Sequence, residues 1–376
     1  MKKLLSLLMA SFMAISMVAC SGDKNATSGD KGETKGDIPT FNVGWSNELH
    51  TGNMELAFLR TDKFSNNSTY LKPISDSQLE LIKDGEVIAY INKVMTKGGA
   101  ECATLMSQGH MDFAYCSSTA MLAAYDTGTD VNILCPVQSG GVAVVAKADA
   151  PYNTFEELVE YAKKLDKPVT GGYHSAVSSP RIVLEYALKE AGLKVTEDTA
   201  DYDADVVLSD LKGISNLIPA LSSGQVEVWA GPIPNPQNAE AQGVGKIIAT
   251  LGELPGGKWV DFPCCTFSVM EKVKNEHPEV VTALMEVTTD IMNYAQTNRD
   301  DAAEALTDFV GLDVEILKQN DTTYSTEPTE QFKNGMSTYF DAMTKMGKFT
   351  GRFAGKTFDE VKDLAFDFSY VENLKK

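Results

Sequence analysis

Three aromatic side chains stand at or near the ends of predicted strands and could bind a flat solute. Trp45 ends the strand FNVGW, Tyr173 ends PVTGGY, and Trp229 lies in VEVWAG. Aromatic faces can sandwich a ring, with stacking that contributes about 0.5–1.5 kcal/mol per pair beyond burial. The alternative is that these rings belong to the core. Because Trp45 and Tyr173 adjoin polar loops, we expect them to contact a ligand, whereas Trp229 fits either interpretation.

Polar side chains lie beside these rings in both halves of the chain. Asn47 and His50 follow the first strand, and His174 and Ser175 follow Tyr173. A neutral imidazole offers one donor and one acceptor, so these groups could bind a solute through hydrogen bonds. A surface-loop role for either histidine remains open.

Serines precede two predicted helices. Ser117 and Ser118 stand before one helix, and Ser178 and Ser179 stand before the other. Helix N-termini favour carboxylate, sulfonate or nitrate, although ordinary N-capping explains the serines equally well. Arg181 follows on the second helix, where it could pair with an anion or point to solvent.

Metal binding and catalysis find little support in the residue spacing. Glu48, His50 and His174 could in principle ligate a metal, but no C-x-x-C or H-x-x-x-H pattern occurs, so we expect no metal and no cofactor. Motifs such as G-x-S-x-G and H-E-x-x-H are also missing, which predicts no catalytic residues and a protein that is not an enzyme. We expect buried free thiols at the remaining cysteines, which are Cys102, Cys116, Cys135, Cys264 and Cys265.

The elements that position these groups follow one pattern twice. LMSQGHMDFAY and ALSSGQVEVWA each read as a helix stopped by glycine and followed by a strand. The first strand leads to a loop at Tyr115–Ser118, and the second leads to Trp229–Pro232. Ligands of open α/β sheets bind outside the carboxyl ends of strands. The repeat therefore predicts two similar lobes around a ligand cleft.

Strands that alternate with helices predict mostly parallel sheets covered on both faces. We place the first lobe at residues 39–140 and the second at 141–258. The remainder, 259–376, is expected to return to the first lobe and to add a helical cap. Residues 1–19 read as a signal peptide, and residues 20–38 read as a flexible tether.

Small residues precede Cys20, which is typical of a bacterial lipobox and predicts lipidation at that cysteine. The expected location is the extracytoplasmic face of a bacterial membrane. A formal net charge of −19 argues against nucleic acid as a partner, since phosphates would be repelled.

The order of these motifs resembles the nitrate/sulfonate/taurine-type solute-binding proteins of bacterial ABC importers. S-x-G-x-M-D-F-A-Y, GVAVVAKADAPYNTFEELVEYAKKL and IPALSSGQVEVWAGPIPNP carry the resemblance. It implies a type II periplasmic-binding-protein fold, α/β in class, with two lobes joined by a two-strand hinge. It also implies a monomeric lipoprotein that captures a small solute and delivers it to a membrane permease. The loop WSNELHTG resembles the first loop of thiamin-precursor (pyrimidine) binding proteins.

Aromatic groups and scarce arginine favour a weakly charged heteroaromatic solute, such as a pyrimidine precursor of thiamin, over nitrate. A sulfonate or taurine held at helix N-termini is the alternative, and an enzyme of pyrimidine metabolism or a sensory module on the same fold also remains open. The expected ligand-binding residues are Trp45, Asn47, His50, Thr51, Tyr115, Ser117, Ser118, Tyr173, His174, Ser175, Arg181 and Trp229.

Overall fold

The computed structural model describes residues 38–374. The predicted signal peptide, Cys20 and nearly all of the tether lie outside these residues. The strands of the described part are β1 Thr40–Trp45, β2 Thr69–Ser75, β3 Gln78–Lys83, β4 Glu86–Met95, β5 Phe113–Ser117, β6 Val131–Ser139, β7 Val142–Lys147, β8 Val169–Tyr173, β9 Val195–Thr196, β10 Val206–Asp210, β11 Val228–Pro232, β12 Gly245–Thr250, β13 Pro263–Met270 and β14 Thr323–Tyr324.

Helices connect and cover these strands. They are α1 Leu56–Leu59, α2 Thr61–Phe64, α3 Gly99–Ser107, α4 Ser118–Asp126, α5 Phe155–Ala162, α6 Ser179–Glu190, α7 Leu217–Ser222, α8 Asn235–Ala241, α9 Glu271–Glu276, α10 Pro278–Thr297, α11 Arg299–Val310, α12 Val314–Leu317, α13 Glu330–Lys345, α14 Phe358–Ala365 and α15 Ser369–Asn373. Short 3₁₀ turns occur at Gly52–Glu55, Ile214–Asn216 and Leu251–Glu253.

The strands form two sheets, each the centre of one lobe. The first has the order β14-β6-β13-β5-β1-β4-β3-β2, and the second has the order β12-β7-β11-β8-β10-β9. In each sheet an antiparallel strand flanks a parallel centre, which is β13 beside β5 in the first sheet and β7 beside β11 in the second. The first sheet also has the antiparallel strand β3 beside β4, at the other side of its parallel centre. The two lobes therefore share a plan.

The chain crosses between the sheets twice. Gly140 and Gly141 join β6 to β7, and the segment between β12 and β13 returns the chain to the first sheet. Helix α13 then packs against α4 and α6, which belong to different lobes. Within residues 38–374, no helix has the length and apolar character that a bilayer crossing requires.

The repeated sequence pattern has a structural counterpart in each lobe. Helix α3 ends before Gly109, whose φ is +71°, and β5 follows; helix α7 ends before Gly224, whose φ is +73°, and β11 follows. The left-handed conformation is strain-free for glycine and stops each helix. Both strands then run toward the space between the lobes.

Candidate functional site

A small cavity, open at its mouth, lies between the lobes at the carboxyl ends of the central strands, and its empty space with the solvent at the mouth included is about 390 Å³. Residues after β1, β4 and β5 face residues after β8, β10 and β11, and the start of β13 forms part of its wall. This is where open α/β sheets bind ligands. The lining residues are Ser46, Glu48, His50, Thr51, Gly98, Gly99, Cys116, Ser117, His174, Ser178, Pro180, Ile214, Pro232, Cys264 and Cys265.

The loop after β1 folds around the buried carboxylate of Glu48. That carboxylate accepts hydrogen bonds from the His50 backbone N–H at 2.5 Å, from the Thr51 N–H at 3.2 Å and from the Thr51 hydroxyl at 2.7 Å. Burial raises the pKa of Glu48, and the nearby His50 charge and these hydrogen bonds oppose that rise. The carboxylate fixes the backbone that carries His50.

The ring of His50 joins three parts of the chain. Its Nε2 lies 2.7 Å from the carbonyl oxygen of Gly141, in the connection between the sheets. Its Nδ1 lies 3.4 Å from the sulfur of Cys264 on β13. Because a carbonyl oxygen only accepts, Nε2 carries a hydrogen and donates it to Gly141.

Two adjacent thiols form the wall of the cavity beside His50. The sulfurs of Cys264 and Cys265 are 3.8 Å apart. The contact with Cys265 lowers the pKa of Cys264 to about 5 against the opposing effect of burial, and the His50 charge contributes to the same direction. Burial would lower the pKa of His50, but the Cys264 thiolate and Glu48 raise it to about 9. Both shifts favour the charged forms, a thiolate at Cys264 and an imidazolium at His50, in contact at 3.4 Å.

The second lobe contributes a histidine with an unused polar atom. His174 is 7% exposed, and its Nδ1 has no hydrogen-bond partner among the described residues. Burial and the charge of His50 lower the pKa of His174 to about 4, so its imidazole is neutral at pH 7. Across the cavity the hydroxyl of Ser117 is also buried and has no partner within residues 38–374. A bound solute could satisfy both groups, since buried polar atoms without partners are costly.

Two helix N-termini meet at the cavity, one from each lobe. Ser117 is the N-cap residue of α4 and Ser178 is that of α6, and neither hydroxyl caps its helix. The hydroxyl of Thr119 on α4 donates to the carbonyl of Val177 at 2.6 Å, and it lies 3.3 Å from the hydroxyl of Ser179. The first turns of both helices therefore touch across the cleft, and the lobes are closed.

Several residues expected from the sequence lie at this cavity. His50, Thr51, Ser117 and His174 line it. Asn47 is exposed and lines a neighbouring opening of about 710 Å³. Behind the cavity wall, Ser118 and Ser175 are buried with hydroxyls that have no hydrogen-bond partner among the described residues.

The expected aromatic residues do not line the cavity. The ring of Trp45 is buried against Phe58, and its Nε1 donates to Glu55 at 3.1 Å. Trp229 lies in the core of the second lobe with Leu217 and Leu221. Neighbouring strand residues point to opposite faces, so the next residue in sequence, such as Ser46 after Trp45, reaches the cavity instead.

Two further expected residues, Tyr115 and Tyr173, are held by contacts outside the cavity. Tyr115 stacks on Phe267 with ring centroids 4.6 Å apart, and its hydroxyl lies 2.6 Å from that of Thr288. Tyr173 donates its hydroxyl to Glu197 and lies under the Arg181 guanidinium. These rings stabilise the lobes and leave the cavity wall to smaller polar groups.

Arg181 is 3% exposed and belongs to an ion-pair network of the second lobe. Its guanidinium lies 2.7 Å from Glu197 and 3.2 Å from Glu185, and it stacks over Tyr173 at 4.4 Å. The structure therefore places Arg181 neither in solvent nor at the cavity. Its positive charge is already balanced by two carboxylates.

Sequence reasoning missed Cys264, Cys265 and Gly99 as cavity residues. The adjacent cysteines were a visible signal, but nothing in the sequence placed His50 beside them. A Cβ on Gly99 would lie 2.5 Å from the Ser117 hydroxyl and 2.6 Å from the Ala120 Cβ. Glycine is required there because the N-termini of α3 and α4 approach closely.

Comparisons with known proteins agree on the architecture. The periplasmic nitrate-binding protein of Synechocystis PCC 6803 is 13% identical, with a TM-score of 0.67 over 90% of this chain and 88% of that one. A ligand-binding component of an ABC-type import system from Staphylococcus aureus, solved with zinc bound, is 14% identical, with a TM-score of 0.66 over 89% and 98%. The alkanesulfonate-binding protein of Xanthomonas axonopodis pv. citri, bound to MOPS, is 15% identical, with a TM-score of 0.61 over 83% and 95%.

These likenesses confirm the predicted fold class, with two α/β lobes of the periplasmic-binding-protein type. A search of the curated proteins found no match. The sequence profile of the NMT1-like family matches residues 83–309, which is more than half of the chain. On that match, the chain belongs to the NMT1-like family.

Proposed function

We propose that the protein is the solute-binding component of an ABC importer. The observation that carries this proposal is the cavity between two closed lobes, which both lobes line with buried polar atoms that lack partners. Binding favours closure when a solute contacts both lobes only in the closed form. The nitrate- and alkanesulfonate-binding proteins of the same fold support this function.

The solute that the cavity fits best is a small compound with an oxyanion group, such as a sulfonate. The N-termini of α4 and α6 meet at the cavity and present backbone N–H groups and partial positive charge. The Ser117 hydroxyl and the neutral His174 ring add hydrogen-bonding groups. The described residues that line the cavity include no lysine or arginine, so apart from His50, whose raised pKa favours its charged form, the anion would depend on these dipoles.

A pyrimidine precursor of thiamin, which the sequence favoured, loses its main support. That preference depended on stacking against Trp45, Tyr173 and Trp229, and all three rings are packed away from the cavity. Without an aromatic face on each side, a flat ring gains no stacking beyond ordinary burial. The sulfonate class is therefore preferred over the heteroaromatic class.

A second candidate is an enzyme, because the structure brings Cys264 and His50 into contact. A thiolate beside an imidazolium is the arrangement of many cysteine nucleophiles. We favour binding without chemistry. Mass spectrometry of the solute recovered after incubation separates the two, since conversion of the solute to a new product supports the enzyme.

The proposal includes attachment through a lipid at Cys20, an extracytoplasmic location, a membrane permease as partner and a monomeric protein. The lipobox that ends at Cys20 supports the lipid attachment, and the export signal before it supports the extracytoplasmic location. In a Cys20→Ala variant the protein should leave the membrane fraction, and its retention there would contradict the anchor.

The test of the proposed solute is a thermal-shift panel of alkanesulfonates, taurine, nitrate and pyrimidines, followed by calorimetry. We expect a sulfonate to raise the melting temperature. Ser117→Ala and His174→Ala should each weaken its binding roughly tenfold or more, since a hydrogen bond to a charged group contributes about 1.5–3 kcal/mol.

Matched controls are Ser107→Ala and His110→Ala, which change exposed residues of the first lobe. Both should bind the sulfonate as the wild type does. A response to pyrimidines alone would reject the oxyanion class and leave the importer proposal standing. No response to any small solute, in the panel or in native mass spectrometry, would reject the importer proposal.

A further inference from the structure

Three possible metal ligands lie together at one point of the cavity wall. They are the two adjacent thiols and one ring nitrogen of His50, which are atoms that soft metal ions prefer. The Nδ1 of His50 and the sulfurs of Cys264 and Cys265 all lie within 4.8 Å of one another, and all three residues are buried. Thiolate and imidazole ligands are the usual donors for Zn²⁺ and related soft ions. We propose that His50, Cys264 and Cys265 form a binding site for a thiophilic metal ion such as Zn²⁺.

The spacing of the ligand atoms fits a tetrahedral ion. Zn–S bonds of about 2.3 Å and Zn–N bonds of about 2.0–2.1 Å place two sulfurs about 3.8 Å apart, and a sulfur and a nitrogen about 3.5 Å apart. The corresponding distances here are 3.8 Å between the Cys264 and Cys265 sulfurs, and 3.4 Å from the Cys264 sulfur to His50 Nδ1. A metal could bind with small movements.

The local geometry of β13 explains how neighbouring cysteines reach the same ion. Successive residues of a regular strand point to opposite faces. The pairing of β13 with β6 is irregular between Pro263 and Cys265 and again between Cys265 and Thr266. Such irregularities re-aim side chains, and here both sulfurs lie on the cavity side.

The protonation of His50 also fits a metal ligand. Its Nε2–H donates to the carbonyl of Gly141, which leaves Nδ1 as the nitrogen that can coordinate. Ligand histidines usually have their second nitrogen held in this way.

Three protein ligands leave one coordination position, which faces the cavity because His50, Cys264 and Cys265 all line it. Water or an anionic group of a solute could occupy it. The metal proposal does not depend on the identity of the solute or on transport, because metal binding is measured on the solute-free protein.

The test begins with the reduced, chelator-treated full chain titrated with Zn²⁺ by calorimetry. We expect one ion per chain at this site, and a thiolate-to-metal charge-transfer band when Co²⁺ replaces Zn²⁺. Cys264→Ser, Cys265→Ser and His50→Gln should each weaken binding at least about tenfold. Cys135→Ser, which changes another buried free thiol of the same sheet, should bind as the wild type does.

X-ray absorption at the zinc edge of the wild-type protein gives a second measurement that needs no variant to fold. About two sulfurs at roughly 2.3 Å and at least one nitrogen at roughly 2.0–2.1 Å are expected. A shell of oxygen and nitrogen alone, or an affinity unchanged in the three ligand variants, would overturn the proposal. Failure of the wild type to take up one tightly held ion would do so as well.

Discussion

At the scale of single residues, Glu48 fixes the loop that carries His50 into the cavity wall. Its carboxylate is 7% exposed and accepts three hydrogen bonds within its own loop. Through the His50 backbone it determines where the imidazole lies relative to Gly141 and Cys264. The loop conformation therefore depends on one buried acid whose cost of burial is offset in part by those hydrogen bonds.

Glu48→Gln tests this dependence. Glutamine keeps the size but replaces one acceptor oxygen by an NH₂ donor, which would face the N–H or hydroxyl donors of the loop. We expect a loss of about 1–3 kcal/mol in the free energy of unfolding, measured by urea denaturation. Glu160→Gln, which removes an exposed ion pair with Lys164, should cost about 0.5 kcal/mol or less. Equal losses in both variants would contradict the role of Glu48.

At the scale of elements, local signals were readable in the sequence. Asp84 and Gly85, with φ of +51° and +84°, form the tight turn between β3 and β4 that the dipeptide predicts. Thr154 caps α5 by accepting from the backbone of Glu157 at 3.2 Å, and the sequence T-x-x-E favours such a cap. These features depend only on neighbouring residues, so no tertiary knowledge was needed.

The site was harder to predict for a physical reason. The position of a strand end follows from local sequence, but the face that each end residue presents depends on sheet register and on the packing of helices. A shift of one residue separates Tyr173, which lies outside the cavity, from His174, which lines it. The contact of His50 with Cys264 joins residues far apart in sequence, which spacing within one segment cannot reveal.

Helix α6 is held by ion pairs of the buried Glu185 carboxylate. These ion pairs should make the stability of the protein depend on pH. Glu185 lies 2.8 Å from Lys189, 3.2 Å from Arg181 and 3.5 Å from Lys348, which belongs to the C-terminal segment. Burial opposes the charged form, but the three cations lower the pKa of Glu185 below its usual value of 4.5. The pKa of Glu185 is lower in the folded protein than in the unfolded chain. Its charge therefore stabilises the protein fully at a pH above the unfolded pKa of 4.5, and this stabilisation is lost as the pH falls through the folded pKa.

Glu185→Gln should therefore lose about 3 kcal/mol at pH 7, since it leaves the buried Arg181 guanidinium with one partner fewer. Its free energy of unfolding should also fall less steeply than that of the wild type between about pH 5 and pH 3. Denaturation curves at several pH values measure both effects. Parallel pH profiles for variant and wild type would show that Glu185 does not titrate with folding.

At the scale of the whole molecule, the closed arrangement is stabilised by a few contacts between the lobes. The Thr119 hydroxyl donates to Val177 at 2.6 Å, and the Ser179 hydroxyl donates to the carbonyl of Cys264 at 3.4 Å. The sheets are joined by only two connections, Gly140–Gly141 and residues 251–262, which leaves room for hinge motion. A binding protein of this design should have an apparent affinity that depends on the population of its closed form.

Thr119→Val separates closure from direct contact with the solute, because Thr119 does not line the cavity. Valine keeps the shape of threonine but removes the hydrogen bond between the lobes. That loss should raise the free energy of the closed form by about 1 kcal/mol and weaken solute binding roughly fivefold, provided that the solute-free protein is mostly open. Calorimetry measures the affinity, and solution scattering with and without solute measures the open population.

Thr104→Val is the matched control. It removes a comparable hydroxyl contact, 2.9 Å to Ala100 within α3, and should leave the affinity within about twofold of the wild type. If Thr119→Val binds as tightly as the wild type while scattering shows an open solute-free form, the hydrogen bond between Thr119 and Val177 contributes nothing to closure.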